Sequence, residues 1–216
     1  MRLGQGHGGH GAISTDQDHG YDLCRLDGGI ANVARPTRDD LASAAGRRVP
    51  DVLGPGLAVL FCGINPGLWS AAVGHHFARP GNRFWKALHQ GGLTPRLLAP
   101  DEEDELLALG LGITNLVERA TAGAADLGAA ELREGGARLA AKAAAARPRM
   151  VAVLGVGAYR TAFARPGAAV GPQPDPIGGS AAWLLPNPSG LNAHYQLADL
   201  AGAFADLRRA LDGQSR

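Results

Sequence analysis

The chain has 216 residues and a mass of 22.2 kDa, which is enough for one well-packed domain and too little for two large ones. Its 21 Lys and Arg residues nearly balance its 20 Asp and Glu residues, so composition alone does not mark a nucleic-acid-binding protein. Two cysteines exclude a disulfide framework, a four-Cys zinc site and a four-Cys iron–sulfur cluster.

The N-terminal segment differs in composition from the rest of the chain. The first 30 residues carry two Arg and four Asp residues, a charge of −2, so the total of +1 leaves +3 on the remainder. Residues 1–34 are rich in Gly, His and Asp and show neither a helical nor a strand period. We therefore predict a disordered tail over residues 1–34 and a folded domain over residues 35–212.

Neither the tail nor the domain predicts a metal site or a membrane segment. His7, His10 and His19 are separated by glycines and other small residues, a pattern more typical of exposed side chains than of metal ligands. The sequence has neither an apolar run of about 18 residues nor the apolar stretch of a signal peptide. We expect an intracellular, cytoplasmic protein, nucleoid-associated if bacterial, with no membrane contact, no metal and no cofactor.

The first half of the domain is predicted to contain, in order, a helix that starts after Thr37 and ends at Gly46, a buried strand over residues 57–62, a helix over residues 83–90, and a helix that begins in the acidic segment 101–105. Thr37, with Asp40 three residues later, is a typical helix N-cap. Cys62 is predicted to be a small buried residue of the strand.

The second half is predicted to contain, in order, a strand over residues 112–117, an Ala-rich helix over 129–146, a buried strand over 150–154, a helix over 159–164, a Gly- and Pro-rich loop over 166–179, a strand over 181–185 and an amphipathic helix over 194–211. Strand and helix alternate at least four times. This alternation predicts an α/β fold with a mostly parallel central sheet and helices on both faces.

Two Asn-Pro loops directly follow predicted strands. Asn65-Pro66 comes after the strand over residues 57–62, and Asn187-Pro188 comes after the strand over residues 181–185. One such loop is ordinary turn chemistry. Because parallel strands end at the same edge of a sheet, two loops of this kind predict a functional site there.

A dinucleotide-binding fold is the obvious competitor. Gly155-Val156-Gly157 follows an apolar strand, but the sixth position of that fingerprint is Arg160 instead of Gly, and no acidic residue follows on a strand about twenty residues later. A phosphate-binding loop is absent from the sequence, and Ser189 lacks the glycine that a nucleophile elbow has two places before its Ser.

Five motifs occur in one order along the domain: Gly63-Ile64-Asn65-Pro66-Gly67-Leu68, Gly74-His75-His76-Phe77, Pro80-Gly81-Asn82-Arg83-Phe84-Trp85, Gly112-Ile113-Thr114-Asn115-Leu116-Val117-Glu118-Arg119 and Asn187-Pro188-Ser189-Gly190-Leu191. In this order they resemble the motifs of the mismatch-specific uracil/thymine DNA glycosylases, one branch of the uracil-DNA glycosylase superfamily. The match runs from about Arg35 to Leu211, so only the tail lies outside it.

The resemblance implies a three-layer α/β/α domain, uracil-DNA glycosylase-like, that acts as a monomer on double-stranded DNA containing a mismatched or damaged pyrimidine. Such an enzyme flips a uracil, chiefly opposite guanine, out of the duplex and hydrolyses its N-glycosidic bond in base excision repair. It uses neither a metal nor an organic cofactor. Thymine and etheno-cytosine are further candidate bases, and a non-catalytic nucleic-acid-binding module of the same fold is the alternative function.

The resemblance also assigns site residues by position. The catalytic Asn falls on Asn65. The base pocket falls on the base-stacking Phe77, the base-contacting Asn115, His76 at the rim, and Gly63, Ile64 and Ser70. The loop that fills the vacated duplex falls on Asn187, Pro188, Ser189, Gly190, Leu191 and Asn192, with Leu191 as the wedge and with Ser189 and backbone N–H groups expected to hold phosphates. From the residues alone, Phe77 and Leu191 are also compatible with core packing, and Asn115 with a turn.

The residue type at position 65 restricts the mechanism. Glycosidic cleavage places positive charge on the sugar and negative charge on the departing base, so the enzyme needs a positioned water. An amide cannot accept the proton of that water at neutral pH, so Asn65 is expected to orient the water through its amide oxygen. General-base help, worth roughly 10²–10⁴-fold, would be missing, which predicts modest turnover.

The sequence departs from the resemblance after the wedge. Uracil-selective members have Ser-Arg after the wedge Leu, whereas this chain has Asn192-Ala193, so the arginine that supports insertion is missing. The segments around His76 and Asn115 resemble the thymine-processing branch, and the segment before Leu191 resembles the uracil branch. The base preference is therefore left open by the sequence.

Overall fold

The computed structural model describes Met1 and residues 35–213. The predicted tail over residues 1–34 lies outside the described residues apart from Met1. All the described helices and strands belong to the unit Ala31–Arg216. None of its described helices is long and apolar enough to cross a lipid bilayer.

A five-stranded sheet forms the centre of this unit. Its strands are β1 (Val59–Gly63), β2 (Leu111–Asn115), β3 (Met150–Leu154), β4 (Gly171–Ile177) and β5 (Ser180–Leu185). They lie in the order β2-β1-β3-β5-β4, with parallel pairing everywhere except between β5 and β4. The predicted mostly parallel α/β sheet is confirmed.

Seven α-helices surround the sheet among the residues that the structure describes: α1 (Arg38–Ser43), α2 (Leu68–Val73), α3 (Phe84–Gln90), α4 (Glu105–Ala108), α5 (Ala129–Ala146), α6 (Val156–Ala162) and α7 (Leu197–Gly213). Two short 3₁₀ helices lie at Pro100–Glu102 and Ala124–Asp126. The capping box before α1 is present, because Asp40 N–H donates to Thr37 Oγ1 over 3.2 Å and Thr37 N–H donates to Asp40 Oδ2 over 2.9 Å. The predicted N-cap is therefore confirmed.

Alternation along β1 produces two cores. Phe61 joins a buried cluster with α3 and α7 on one face of the sheet, and Leu60 and Cys62 join a second cluster with α5 and α6 on the other face. Successive side chains of a strand point to opposite faces, so a strand covered by helices on both sides is apolar throughout. This is the predicted three-layer α/β/α arrangement, with Cys62 buried as expected.

The predicted loop over residues 166–179 is wrong, because it contains β4. Three prolines, Pro172, Pro174 and Pro176, occupy alternate positions of this strand and hide it from sequence patterns. Proline cannot donate to a ladder, but an edge strand needs backbone bonds on one side only. Since β4 pairs with β5 alone, the prolines are tolerated.

Helix α2 was not predicted, and two other helices start at different residues from those expected. Helix α6 begins at Val156, before the predicted residue 159, and α7 begins at Leu197, after the predicted residue 194. Helix α2 has only 6 residues and begins after Gly67 without a side-chain cap, so it carries neither a start signal nor a measurable period.

Candidate active site

A cavity of about 140 Å³ opens at the carboxyl end of the sheet. Its wall comes from the segments that follow β1, β2 and β5, together with the end of β3. Strand β1 connects to β2 on one side and lies next to β3 on the other, so the cavity lies where the chain order reverses direction, the usual ligand position in open α/β sheets. The lining residues are Gly63, Ile64, Asn65, Pro66, Gly67, Ser70, His76, Phe77, Arg79, Asn82, Asn115, Thr121, Ala122, Gly123, Ala124, Leu154, Asn187, Ser189 and Leu191.

Most of the predicted site residues meet in this one cavity. The expected catalytic residue, all six expected pocket residues, and three residues of the second Asn-Pro loop line it, whereas Pro188, Gly190 and Asn192 do not. Within residues 35–213 the lining includes neither Asp nor Glu. The cavity therefore offers polar but uncharged acceptors to whatever enters from the solvent side.

The amide of Asn65 is fixed in one orientation. Its Nδ2 atom lies 3.1 Å from the carbonyl oxygen of Pro66, 3.2 Å from that of Arg119 and 2.8 Å from Thr121 Oγ1. All three partners accept, so the NH₂ end must face them and the oxygen must face away. No hydrogen bond to Asn65 Oδ1 occurs within residues 35–213, which leaves this oxygen available as an acceptor at the cavity.

Gly63 allows two side chains of the inner cavity wall to lie close together. It is the last residue of β1 and pairs with Asn115, the last residue of β2. A Cβ atom at position 63 would clash with Asn115 Oδ1 and lie 3.2 Å from Phe77 Cζ. Because only glycine avoids both contacts, the strand end can hold the Asn115 amide and the Phe77 ring beside each other.

His76 contributes to the deep inner wall of the cavity instead of the predicted rim, since it is only 2% exposed. Its Nε2–H donates to the carbonyl oxygen of Pro50 over 2.8 Å, and its Nδ1 lies 3.4 Å from Asn115 Nδ2. Burial lowers the pKa of His76, which favours the neutral ring with the proton on Nε2. This tautomer accepts from the Asn115 NH₂ group.

A buried carboxylate holds the segment that carries His76. Glu103 accepts from His76 N–H over 2.8 Å and lies 3.0 Å from His75 Nδ1. Ser70, also buried, accepts from the N–H of Ala78 over 3.1 Å. These polar partners allow the segment that contains His75 and His76 to pack against the core.

No group of three or more His, Cys, Asp or Glu residues able to hold a metal ion occurs in the part of the chain that the structure describes.

Phe77 adopts a strained backbone conformation. Its φ angle is +53°, in the left-handed region that bulky residues avoid at a cost of order 1–3 kcal/mol. Its ring stacks on Phe84 with a centroid distance of 4.1 Å and an interplanar angle of 22°. The ring also lines the cavity, so it serves both as core packing and as an exposed aromatic surface.

The second Asn-Pro loop, residues 187–192, is closed by its own polar groups. Asn187 Oδ1 accepts from the N–H of Ser189 over 3.0 Å, and Asn192 Nδ2 donates to the carbonyl oxygen of Asn187 over 3.0 Å. The N–H of Leu191 donates to Ser189 Oγ over 3.3 Å. The backbone donors expected to hold phosphates at positions 189 and 191 are therefore engaged within the loop, and the hydroxyl hydrogen of Ser189 is left as a donor.

The side chain of Leu191 projects from this loop and is 74% exposed. The core alternative for Leu191 is therefore excluded. Among the described residues it belongs to none of the hydrophobic clusters, and it presents an apolar surface at the mouth of the cavity.

Arg83 holds this loop from outside, a role that sequence reasoning did not assign. Its guanidinium donates to the carbonyl oxygens of Ser189 and Tyr195, and to that of Asn192 over 2.9 Å. Its own N–H donates to Pro188 O over 3.0 Å. The chain separation of more than 100 residues and the use of backbone acceptors explain why no sequence pattern points to these bonds.

The other lining residues that were not predicted form two groups. Arg79 and Asn82 precede α3, and the exposed Arg79 adds a cation at the mouth of the cavity. Residues 121–124 form the wall next to Asn65. The sequence could have indicated these residues only through their place in the chain, directly after the predicted strand that contains Asn115.

The fold and site define an α/β protein with a polar cavity, free of Asp and Glu among its described lining residues, at the carboxyl end of a mostly parallel sheet. The chain belongs to the Uracil DNA glycosylase superfamily, whose family model matches residues 50–208. Membership of this superfamily implies a DNA glycosylase, which is a hydrolase, and confirms the predicted family at this level. Among solved structures, a solution NMR structure of a candidate uracil DNA glycosylase from Methanosarcina acetivorans is similar over 76% of this chain and 98% of that chain, with 19% identity and a TM-score of 0.47.

Proposed function

We propose that this chain is a mismatch-specific DNA glycosylase that excises uracil, chiefly opposite guanine, in base excision repair. The observation that carries the proposal is the Asn65 amide, whose NH₂ end is bound by three acceptors while its oxygen is left at the cavity. The five ordered motifs support the mismatch-specific branch of the superfamily. Thymine and etheno-cytosine are the competing bases.

The chemistry follows from the atoms at this position. Asn65 Oδ1 accepts one hydrogen of a water molecule and thereby aims the oxygen lone pair of that water at the anomeric carbon of the flipped nucleotide. The sugar develops positive charge as the glycosidic bond breaks, and the water adds to it. The base leaves with the electron pair of the broken bond. Because the amide takes no proton, the proton of the water passes to solvent after attack, and the rate owes little to general-base catalysis.

The base is held by the inner wall of the cavity. The flipped ring stacks on the cavity side of Phe77, and the Asn115 amide contacts its polar edge. His76 fixes the Asn115 amide from behind, since its neutral Nδ1 accepts from Asn115 Nδ2. Because His76 lies close to Phe77 and Asn115, the wall around it also helps to determine which substituent at C5 of the base fits the cavity.

Substrate choice begins before the base reaches the cavity. Extruding a base costs a few kcal/mol and costs least at a mispair, so a G·U pair is favoured over a sound pair. Leu191 offsets part of this cost by filling the gap in the duplex and packing against the neighbouring bases. The hydroxyl of Ser189 and the guanidinium of Arg79 are two donors at the cavity that can bind flanking phosphates.

A cleavage assay tests the proposal. A duplex with a single G·U pair is incubated with the protein and treated with alkali, which cuts the strand where a base has been removed. We expect cleavage with the wild-type chain and a loss of about 10²-fold or more in single-turnover rate for Asn65→Ala, because the water loses its orienting acceptor. Gln173→Ala, which removes an amide from strand β4 outside the cavity, serves as the control and is expected to leave the rate unchanged.

Two results would contradict the proposal. Duplex binding without strand cleavage by the wild-type chain would favour a non-catalytic nucleic-acid-binding module. Cleavage that persists unchanged in Asn65→Ala would show that another residue carries the catalytic role. Parallel duplexes with G·T and with etheno-cytosine opposite guanine then rank the bases, and a slower rate on both than on G·U is the expected order.

A further inference from the structure

Thr121 is the side chain that supports Asn65 from outside the first Asn-Pro loop. Its Oγ1 lies 2.8 Å from Asn65 Nδ2, although the two residues are 56 positions apart, and Thr121 is only 6% exposed. The other two acceptors of the Asn65 amide are backbone carbonyl groups, which every residue possesses. Thr121 is therefore the partner whose chemistry a substitution can change.

The direction of this hydrogen bond is fixed by a second one. Thr121 Oγ1 donates to the carbonyl oxygen of Gly123 over 2.7 Å. A hydroxyl has one hydrogen, so once it is given to Gly123 the oxygen can only accept from Asn65. If the Asn65 amide turned over, its oxygen would face a hydroxyl with no hydrogen to give and two carbonyl oxygens.

The backbone keeps these groups at their positions. Thr121 N–H donates to the carbonyl oxygen of Pro66 over 3.2 Å, and Gly67 and Thr121 form a short parallel bridge. Asp126 Oδ2 accepts from Gly123 N–H over 3.0 Å, which holds the far end of the turn. The segment around Thr121 thus holds the acceptors of the Asn65 NH₂ group in fixed positions.

We infer that Thr121 is a positioning residue that sets the orientation of the Asn65 amide and so places its oxygen toward the attacking water. The inference rests on the proposed function for its catalytic consequence, but the orientation itself is a property of the free protein. Thr121 acts through Asn65, so removing its hydroxyl lowers the rate only while Asn65 is present.

The decisive variants are Thr121→Val, which keeps the shape and removes the hydroxyl, and Thr121→Ser, which keeps the hydroxyl. We expect Thr121→Val to lower the single-turnover rate on G·U DNA by roughly 10-fold with little change in duplex affinity, because a misplaced acceptor affects the chemical step. Thr121→Ser is expected to stay within about 2-fold of wild type.

A double-mutant cycle separates positioning from a general structural effect. In the Asn65→Ala background we expect Thr121→Val to cause no further loss of rate, since the group it orients is gone. Thr94→Val is the matched control, because Thr94 is also buried and donates to a backbone carbonyl, that of Arg96, away from the cavity. It is expected to leave the rate unchanged.

A measurement on the free protein keeps the inference independent of activity. The side-chain NH₂ hydrogens of Asn65, followed by NMR, are expected to exchange slowly with solvent in wild type and in Thr94→Val, and faster in Thr121→Val. A wild-type rate for Thr121→Val, an equal loss with and without Asn65, or unchanged exchange would each overturn the role of Thr121. A wild-type protein that fails to cleave any duplex, but shows the expected exchange pattern, would refute the proposed function and leave the orienting role intact.

Discussion

The two Asn-Pro loops carry the same dipeptide after two strands that flank β3, yet their asparagines are held in opposite ways. Asn65 is bound through its nitrogen by groups from a distant segment, so its oxygen is left at the cavity. Asn187 is bound through its oxygen by the N–H of Ser189, two residues away. An Asn-Pro pair therefore indicates a turn. Whether the fold binds the nitrogen or the oxygen of the amide decides which of the two atoms is left free to bind a ligand.

If this difference between the loops is functional, the second loop acts on DNA structure and not on the chemical step. We predict that Leu191→Ala lowers the single-turnover rate on duplex uracil by about 30-fold and on single-stranded uracil by less than about 2-fold, because only the duplex has a gap to fill. The measurement is the ratio of the two rates, with Leu97→Ala as a control for an exposed leucine outside the cavity. Equal losses on both substrates would refute the wedge role.

A smaller effect is expected from the residue that holds the loop. We predict that Arg83→Gln lowers the rate on duplex uracil by about 10-fold, and that adding it to Leu191→Ala costs little more, because both changes disable one inserted group. Arg83→Lys is expected to be nearly as impaired, since one ammonium group cannot satisfy three carbonyl oxygens as the planar guanidinium does.

The salt dependence of duplex binding distinguishes loop holding from attraction to phosphate. If Arg83 bound a DNA phosphate group, Arg83→Gln would reduce the salt slope by about 1, and we expect no such change. Full recovery of the rate in Arg83→Lys would contradict the loop-holding role. Arg165→Gln, which removes an exposed guanidinium paired with Asp175, is the control.

The smallest effect is expected at the second asparagine itself. We predict that Asn187→Ala lowers the duplex rate by only about 3-fold and the free energy of unfolding by about 1 kcal/mol, because it removes one local hydrogen bond. Asn187→Asp keeps the accepting oxygen and is expected to recover the free energy of unfolding, whereas the duplex rate stays reduced because the added negative charge repels DNA phosphates. Urea denaturation and the duplex assay measure them, and a loss comparable to that of Asn65→Ala would erase the difference between the loops.

Sequence reasoning succeeded where the information is local. The apolar run before Asn65 and the capping residues Thr37 and Asp40 are adjacent in sequence to what they determine, and the motif positions placed ten site residues in one cavity. The alternation of strands and helices also gave the correct layers. Each of these depends on spacing, which a single sequence displays.

Sequence reasoning failed where the determinant is a tertiary contact. Arg83 binds backbone carbonyl groups more than 100 residues away, which leave no trace in residue identity, and Thr121 binds the amide of Asn65, 56 residues away. His76 is buried because Glu103 and Pro50 supply its polar partners, so it could not be placed from a His-His pair alone. Strand β4 was hidden because its edge position, which tolerates proline, is a property of the sheet.

The stacking of Phe77 on Phe84 has a consequence for how this protein can change over generations. Phe84 also packs edge-on against Phe61 at 5.5 Å and against Phe204 at 6.0 Å. The Phe77 ring, which forms part of the cavity wall, is therefore also the outermost aromatic ring of the hydrophobic core. A core at native density does not yield to accommodate a ligand. Thermal robustness and base preference therefore share the same aromatic rings, and selection acting on one of these traits also constrains the other.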